Sequence, residues 1–232
     1  SQRNIWIEQK IHENSSLFNI GGFINIHGDV NYKLMNKAVN FVIKTNDVFR
    51  IKFNVKNNDI FQSTHILNDY VLPFIDFSEA ENPLQKAMFW MQLDFEKNFD
   101  LENSYAFSFC LLKISNEQFL FYNKYHHLIV DGWAISLTLN QLMDTYNNFY
   151  NQQEQTNTFS SYKNFIEEDE KYLKSKRFIA SQEYWKNKLQ KKPDSIFSTH
   201  TFQNADKFEL NSDRKSVKFS QKRYQSLVKF SE

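Results

Sequence analysis

The sequence is poor in the residues that bend a chain: 4 Gly and 3 Pro in 232 residues, against 24 Phe and 11 Tyr. Few tight turns and dense aromatic packing are expected, in a composition that is ordinary for a globular chain. It holds one cysteine. Cys110 lies in the apolar run 105–114, has no partner within the sequence for a disulfide, and reads as a buried strand residue rather than a nucleophile. A reducing, cytoplasmic setting fits. The charges nearly cancel, 28 Lys and Arg against 27 Asp and Glu, and no basic stripe is present, so a nucleic-acid partner is not expected. No apolar stretch approaches the roughly 18 residues of a membrane span, and the first residues lack the basic-then-apolar pattern of an export signal. Neither membrane insertion nor export is expected. The sequence starts at Ser1 rather than Met, which is read as an initiator or flanking segment lying outside it.

What is present concentrates in one stretch, Tyr125-His126-His127-Leu128-Ile129-Val130-Asp131-Gly132-Trp133-Ala134-Ile135-Ser136. Upstream, residues 119–125 alternate as a strand does; downstream, residues 133–150 have helical spacing, so the stretch is a turn at the C-terminal end of a strand. Open α/β sheets place reactive groups there. On an extended segment His126 and His127 point to opposite faces, so one can face a cleft while the other packs inward. A neutral imidazole can take a proton from an attacking amine, hydroxyl or thiol near neutral pH. Asp131 is near enough to fix the loop or a ring, and Gly132 lets backbone N–H groups approach a developing oxyanion. A histidine pair alone is more often structural; the spacing of Asp131-Gly132 and the strand-turn-helix setting point to catalysis.

The rest of the chain supplies a scaffold. Residues 14–28 read as a strand, and a helix capped by Asn31 runs to about Thr45. Strands are expected over 46–53, 59–66 and 71–77, the later ones extending the sheet and the last at an edge or strand end because of Pro73. A helix begins near Asn82 with Pro83 in its first turn, and its Leu84, Ala87, Met88, Met91, Leu93 and Phe95 are expected in the core. Residues 104–113 and 117–124 form a hairpin that delivers its second strand into His126. After the helix of the signature, 151–158 reads as a surface linker, 160–165 caps and opens another helix, and 178–189 forms a further one. Residues 194–205 read as a crossover, 208–210 and 216–219 as a strand pair, and Ser220 as the cap of a last helix. Glu167-Glu168-Asp169-Glu170 point around a helix rather than converge, and no metal site is implied. His12, His27, His65 and His200 have no ligand spacing.

His126-His127-x-x-x-Asp131-Gly132-Trp133 resembles the HHxxxDG signature of the condensation domains of nonribosomal peptide synthetases, in the chloramphenicol acetyltransferase-like superfamily. Residues 1–6 resemble part of that family's opening motif. The segment Thr45 to Phe53 resembles its Arg-His-Glu-x-Leu-Arg-Thr-x-Phe motif, with Arg50 and Phe53 matching and Thr45-Asn46-Asp47 replacing the leading triplet. Tyr162-Lys163-Asn164-Phe165 resembles its Tyr-x-Asp-[Phe/Tyr] motif, with Asn164 in place of the Asp. The resemblance implies an α/β fold: a mixed β-sheet flanked by helices, the first half of a two-lobe pseudo-dimer. It implies a catalytic His127, a Gly132 where the reacting carbonyl approaches, and support from His126 and from Asp131 paired with Arg50. Trp133 and Tyr162 are expected to line the cleft.

On the same resemblance the chain carries the N-terminal lobe over 1–175, an inter-lobe helix and crossover over 176–219, and the start of a C-terminal lobe over 220–232. The expected reaction is amide formation between an acyl or peptidyl thioester and an aminoacyl amine. Both substrates ride on phosphopantetheine arms of donor and acceptor carrier proteins, with no cofactor bound directly. An adenylation domain and the C-terminal lobe of the same synthetase are the other expected partners. A single lobe is expected to be inactive by itself and to self-associate through its uncovered cleft wall. Gly132-Trp133-Ala134 resembles condensation rather than epimerisation domains, and the whole resembles siderophore and lipopeptide initiation modules. The alternatives are an acyltransferase using acyl-CoA and a non-catalytic docking module with the same fold.

Overall fold

The computed structural model describes residues 2–57, 59–67, 69–156, 161–191 and 217–231. The chain divides into two units, Ser1–Pro193 and Asp194–Glu232. The first is an α/β unit: α1 (Gln2–Ile11), β1 (Asn19–His27), α2 (Tyr32–Thr45), a 3₁₀ turn Asp47–Arg50, β2 (Ile51–Lys56), β3 (Asp59–Thr64), β4 (Phe74–Asp76), α3 (Pro83–Phe95), β5 (Phe107–Ser115), β6 (Gln118–His126), α4 (Gly132–Tyr150), α5 (Tyr162–Leu173) and α6 (Lys176–Lys188). Its main sheet has the order β1-β6-β5-β4. β6 runs antiparallel to both neighbours, and the short edge strand β4 runs parallel to β5, so the sheet is mixed.

The sequence explains most of these boundaries. Asn31 accepts a hydrogen bond from the Leu34 N–H at 3.2 Å, and Met35, Ala38, Val39 and Val42 then bury one stripe of α2. Pro73 precedes β4, where its missing N–H costs no ladder bond and its carbonyl accepts from Leu111 at 2.8 Å. Asn116-Glu117 joins β5 to β6. Gly21 is required: its φ is +150°, and a Cβ there would stand 2.1 Å from the Asn123 carbonyl oxygen.

Two expectations are corrected. β2 and β3 do not extend the main sheet; they pair with each other as a separate two-stranded sheet. Each is the other's hydrogen-bonding partner, and the hairpin meets the core through the side chains of Ile51 and Phe53 while its far end remains exposed. The stripe on α3 is the other correction. Ala87 and Met91 are buried, whereas Leu84, Met88 and Leu93 are each more than 40% exposed. This helix is apolar on several sides, so its period does not say which side meets the sheet.

Side-chain alternation divides the core. Phe107, Phe109, Leu111, Phe119, Phe121 and Tyr125 pack with α2, the 3₁₀ turn and α4 in a large cluster, their rings in edge-on and tilted contact. Cys110, Leu112, Ile114, Leu120 and Tyr122 form a smaller cluster with Ala87 and Met91 of α3. The 23 buried residues of the larger cluster carry the unit. No helix among the described residues is long and apolar enough to cross a membrane.

The second unit is described over residues 217–231. Ser220 caps its helix α7 (Gln221–Ser231), its hydroxyl accepting from the Arg223 N–H at 3.3 Å. Val217–Phe219 hold no regular structure; residues 194–205, 208–210 and 216 lie outside the described residues, as does His200.

Candidate functional site

β6 carries the signature stretch to the edge of the core, and the two histidines separate there. His126 is the last residue of the strand and is 1% exposed. Its Nδ1 accepts the Leu128 N–H at 3.1 Å, which assigns the remaining proton to Nε2, 3.0 Å from the Gln9 Oε1. Burial, with a smaller contribution from His127, pushes this imidazole down to about 4. The ring is neutral, fully hydrogen-bonded and flanked by Phe18 and Phe99 at 6.0 and 6.3 Å between centroids.

His127 leaves the strand. Its N–H donates to the Phe18 carbonyl at 2.8 Å, its side chain is half-buried, and its imidazole makes no hydrogen bond to another described residue. The two rings therefore have different surroundings, one buried and bonded on both nitrogens, the other partly open. After it the chain turns, the Ile129 N–H bonding back to the His126 carbonyl at 3.1 Å. Leu128, Ile129 and Val130 are buried, so apolar burial anchors the turn in the core. Gln2 of α1 donates to the Leu128 carbonyl at 2.7 Å.

Asp131 caps α4. Its Oδ1 accepts the Ala134 N–H at 2.8 Å, which leaves the Gly132 and Trp133 N–H groups unused by the cap at the positive end of a 19-residue helix. Gly132 is in neither a tight contact nor a left-handed conformation; a Cβ there would have no atom within 4 Å. Nothing in the fold demands glycine at this position. Trp133 stands 74% exposed.

The expected Arg50–Asp131 ion pair is not formed. Arg50 pairs with Asp47 at 2.7 Å, because a 3₁₀ turn stacks positions i and i+3 and brings the local carboxylate to the guanidinium. Asp47 has a second task. Its Oδ2 accepts from the Ser161 hydroxyl at 2.5 Å and from the Tyr162 N–H at 3.1 Å, tying α5 to this turn. The Tyr162 phenol is half-buried and pushed up by that burial, against hydrogen bonding from Gln2 and Gln62.

Gln2 and Gln62 also line a cleft of about 330 Å³ between α1 and the β2–β3 hairpin, with Trp6, Phe53, Ile60 and Leu128. Tyr162 thus adjoins the cleft, and Leu128 brings the signature turn into its wall. His127, Gly132 and Trp133 stand outside that wall. Gln2, Gln9 and Asp47 were not singled out from the sequence, since isolated amides carry no pattern; the seven-residue spacing of Gln2 and Gln9, which puts them near one face of α1, was the available signal.

Elsewhere, burial pushes the Cys110 thiol up to about 12. Lys124, on the same strand face as His126, is buried; its ammonium donates to the Asp94 carbonyl at 2.7 Å and lies 3.2 Å from the Asp94 carboxylate. Burial holds it below the usual lysine range, the Asp94 charge opposing. Glu167 to Glu170 are exposed, and no group of three or more metal-ligating side chains occurs among the described residues.

Comparison with known proteins places this geometry in a family. The model of the Condensation domain matches residues 1–232. The dimodular nonribosomal peptide synthase of Bacillus subtilis is 26% identical over 197 residues, which are 84% of this chain and 8% of that protein. Enterobactin synthase component F of Escherichia coli K12 is 22% identical over 196 residues, 83% of this chain and 15% of that protein. In fold, the chain is similar to the starter condensation domain of the rhizomide synthetase RzmA, with a TM-score of 0.77 and 23% identity over 84% of this chain and 49% of that one. The chain spans about half of that solved domain and a small share of the synthetases.

Proposed function

This chain belongs to the condensation-domain family, and from that premise we propose that it carries the histidine-bearing half of an amide-forming site in a nonribosomal peptide synthetase. The substrates are an acyl or peptidyl thioester and an aminoacyl thioester, each on the phosphopantetheine arm of a carrier protein. The amine nitrogen attacks the thioester carbonyl, the C–N bond forms, the C–S bond breaks, and the proton lost by the amine ends on the departing thiol. His127 either accepts that proton on the way or orients the amine's lone pair. Gly132 leaves space for the carbonyl, and the free N–H groups at the start of α4 face its developing negative charge. Residues 1–175 form the lobe that holds these groups, 176–219 the inter-lobe link and 220–232 the start of the second lobe. The second lobe, an adenylation domain and the two carrier proteins are the partners, in a cytoplasmic synthetase.

The observation that carries this reading is the contrast between the two rings. His126 is committed on both nitrogens, while the His127 imidazole has no described hydrogen-bond partner and is only partly buried. One ring is fixed so that its neighbour is available. The test is a single-turnover assay on the full-length parent domain with loaded donor and acceptor carriers, the tethered product being followed by mass spectrometry. His127→Ala is expected to abolish product while wild type forms it. Equal product from both would remove His127 from the chemistry, and a wild type that transfers nothing but binds a neighbouring protein would favour a docking module.

A further inference from the structure

We propose that helix α1 is a two-point clamp on the catalytic turn, in which Gln9 and Gln2 are positioning residues that aim His127. The proposal rests on the amide-forming reading of that residue. His127 has no described side-chain bond of its own, so the hydrogen bonds that position it are those on the backbone to either side. Both sides are held by α1. On one, Gln9 Oε1 accepts from His126 Nε2, and the same ring takes the Leu128 N–H on Nδ1. On the other, Gln2 Nε2 donates to the Leu128 carbonyl at 2.7 Å.

Gln9 has a further task that bears on the same residue. Its two amide protons go to the His12 and Ser15 carbonyls, at 3.0 and 3.1 Å. They close the loop that leads to Phe18, whose carbonyl takes the His127 N–H. Every hydrogen-bonding group of a 9%-exposed amide is thereby used, each on a residue adjoining His127 or on the loop that holds its N–H. Asparagine is a carbon too short to span these partners. Glutamate could supply the acceptor for His126 but not two donors for the carbonyls.

Seven residues apart, the two glutamines stand about 10 Å from each other along α1. That spacing lets one rigid helix grip the turn before and after the catalytic side chain. Because reacting groups lose rate steeply when displaced by about 1 Å, loosening either grip should appear in the chemical step rather than in substrate binding.

The experiment uses the full-length parent domain with Gln2→Met, Gln9→Met and His127→Ala, loaded carriers as substrates, and circular dichroism with thermal melting as the control for folding. The expected result is a kcat lowered by about 10- to 100-fold in each glutamine variant with the acceptor carrier's KM unchanged. Gln2 is only partly buried and lies in the first turn of its helix, so Gln2→Met should melt within a few degrees of wild type and carries the test if Gln9→Met does not fold. A Gln2→Met kcat within about twofold of wild type, or a loss confined to KM, would overturn the clamp while His127→Ala remains inactive. An active His127→Ala would instead strike the amide-forming reading itself, and the clamp would fall with it.

Discussion

The apolar face of the main sheet and the turn that leaves it at His126 both bury apolar side chains, but the turn adds directed hydrogen bonds from the side chains of α1. On the face, Phe107, Phe109, Leu111, Phe119, Phe121 and Tyr125 gain stability from many weak contacts, none of which is specific. In the turn, the burial of Leu128, Ile129 and Val130 is joined by a handful of hydrogen bonds with assigned partners: Gln9 to His126, His126 to Leu128, His127 to Phe18, Gln2 to Leu128, Asp131 to Ala134. Packing tolerates substitution of like for like. A directed bond has no such latitude, so the turn should be sensitive to chemical identity where the face is sensitive to volume.

The largest effect on stability is expected on the face. Phe121 is fully buried against Phe109, and Phe121→Ala should lower the unfolding free energy by about 3–5 kcal/mol, read from denaturant titration. Phe121→Leu should recover most of it. If the two cost the same, volume is not what the face responds to, and the contrast breaks.

A smaller, pH-dependent effect belongs to the turn. The folded His126 ring titrates near 4 because it is buried, and an unfolded one near 6.5. The unfolded chain therefore binds the proton first as the pH falls. Stability from this ring is complete above about 6.5 and declines toward 4, by on the order of 3 kcal/mol in all. Thermal melts across that range should show a slope that flattens, relative to wild type, in His126→Gln. An unchanged slope would mean that the ring is not held neutral by burial.

The smallest effect sharpens the contrast within the turn. Asp131→Ala removes a helix cap and should cost about 1 kcal/mol, while Asp131→Ser, which can also cap, should cost little. Serine cannot pair with an arginine. Equal losses in the two variants would therefore point back to the Arg50 pair that this geometry replaces with Asp47.

Local chemistry was legible in the sequence and long-range partnership was not. The Asn31 and Ser161 caps, Pro83 in a first turn, the β5–β6 hairpin and the different surroundings of His126 and His127 follow from spacing and side-chain type. The α/β class and the mixed sheet were legible too. The separate β2–β3 sheet was not, because alternation marks a strand without naming its neighbour. Nor was the outward turn of Leu84, Met88 and Leu93, since a helix apolar on several sides gives no direction. Arg50 illustrates the limit best: its carboxylate partner was expected 81 residues away, at Asp131, and stands three away, at Asp47.

The pairing of β1 with β6 sets a schedule for the growing chain. Asn19 lies opposite His126 and His27 opposite Gln118, so the first strand cannot find its partner until about a hundred further residues have been made. At ribosomal speeds of about 5–20 residues per second, it waits on the order of 5–20 s. During that interval Ile20, Phe23, Ile24 and Ile26 have no sheet to join, and the histidine turn does not yet exist. The strand that ends the wait is the one that carries the histidines, so β6 closes the longest loop in the sheet and sets His126 in place in the same event.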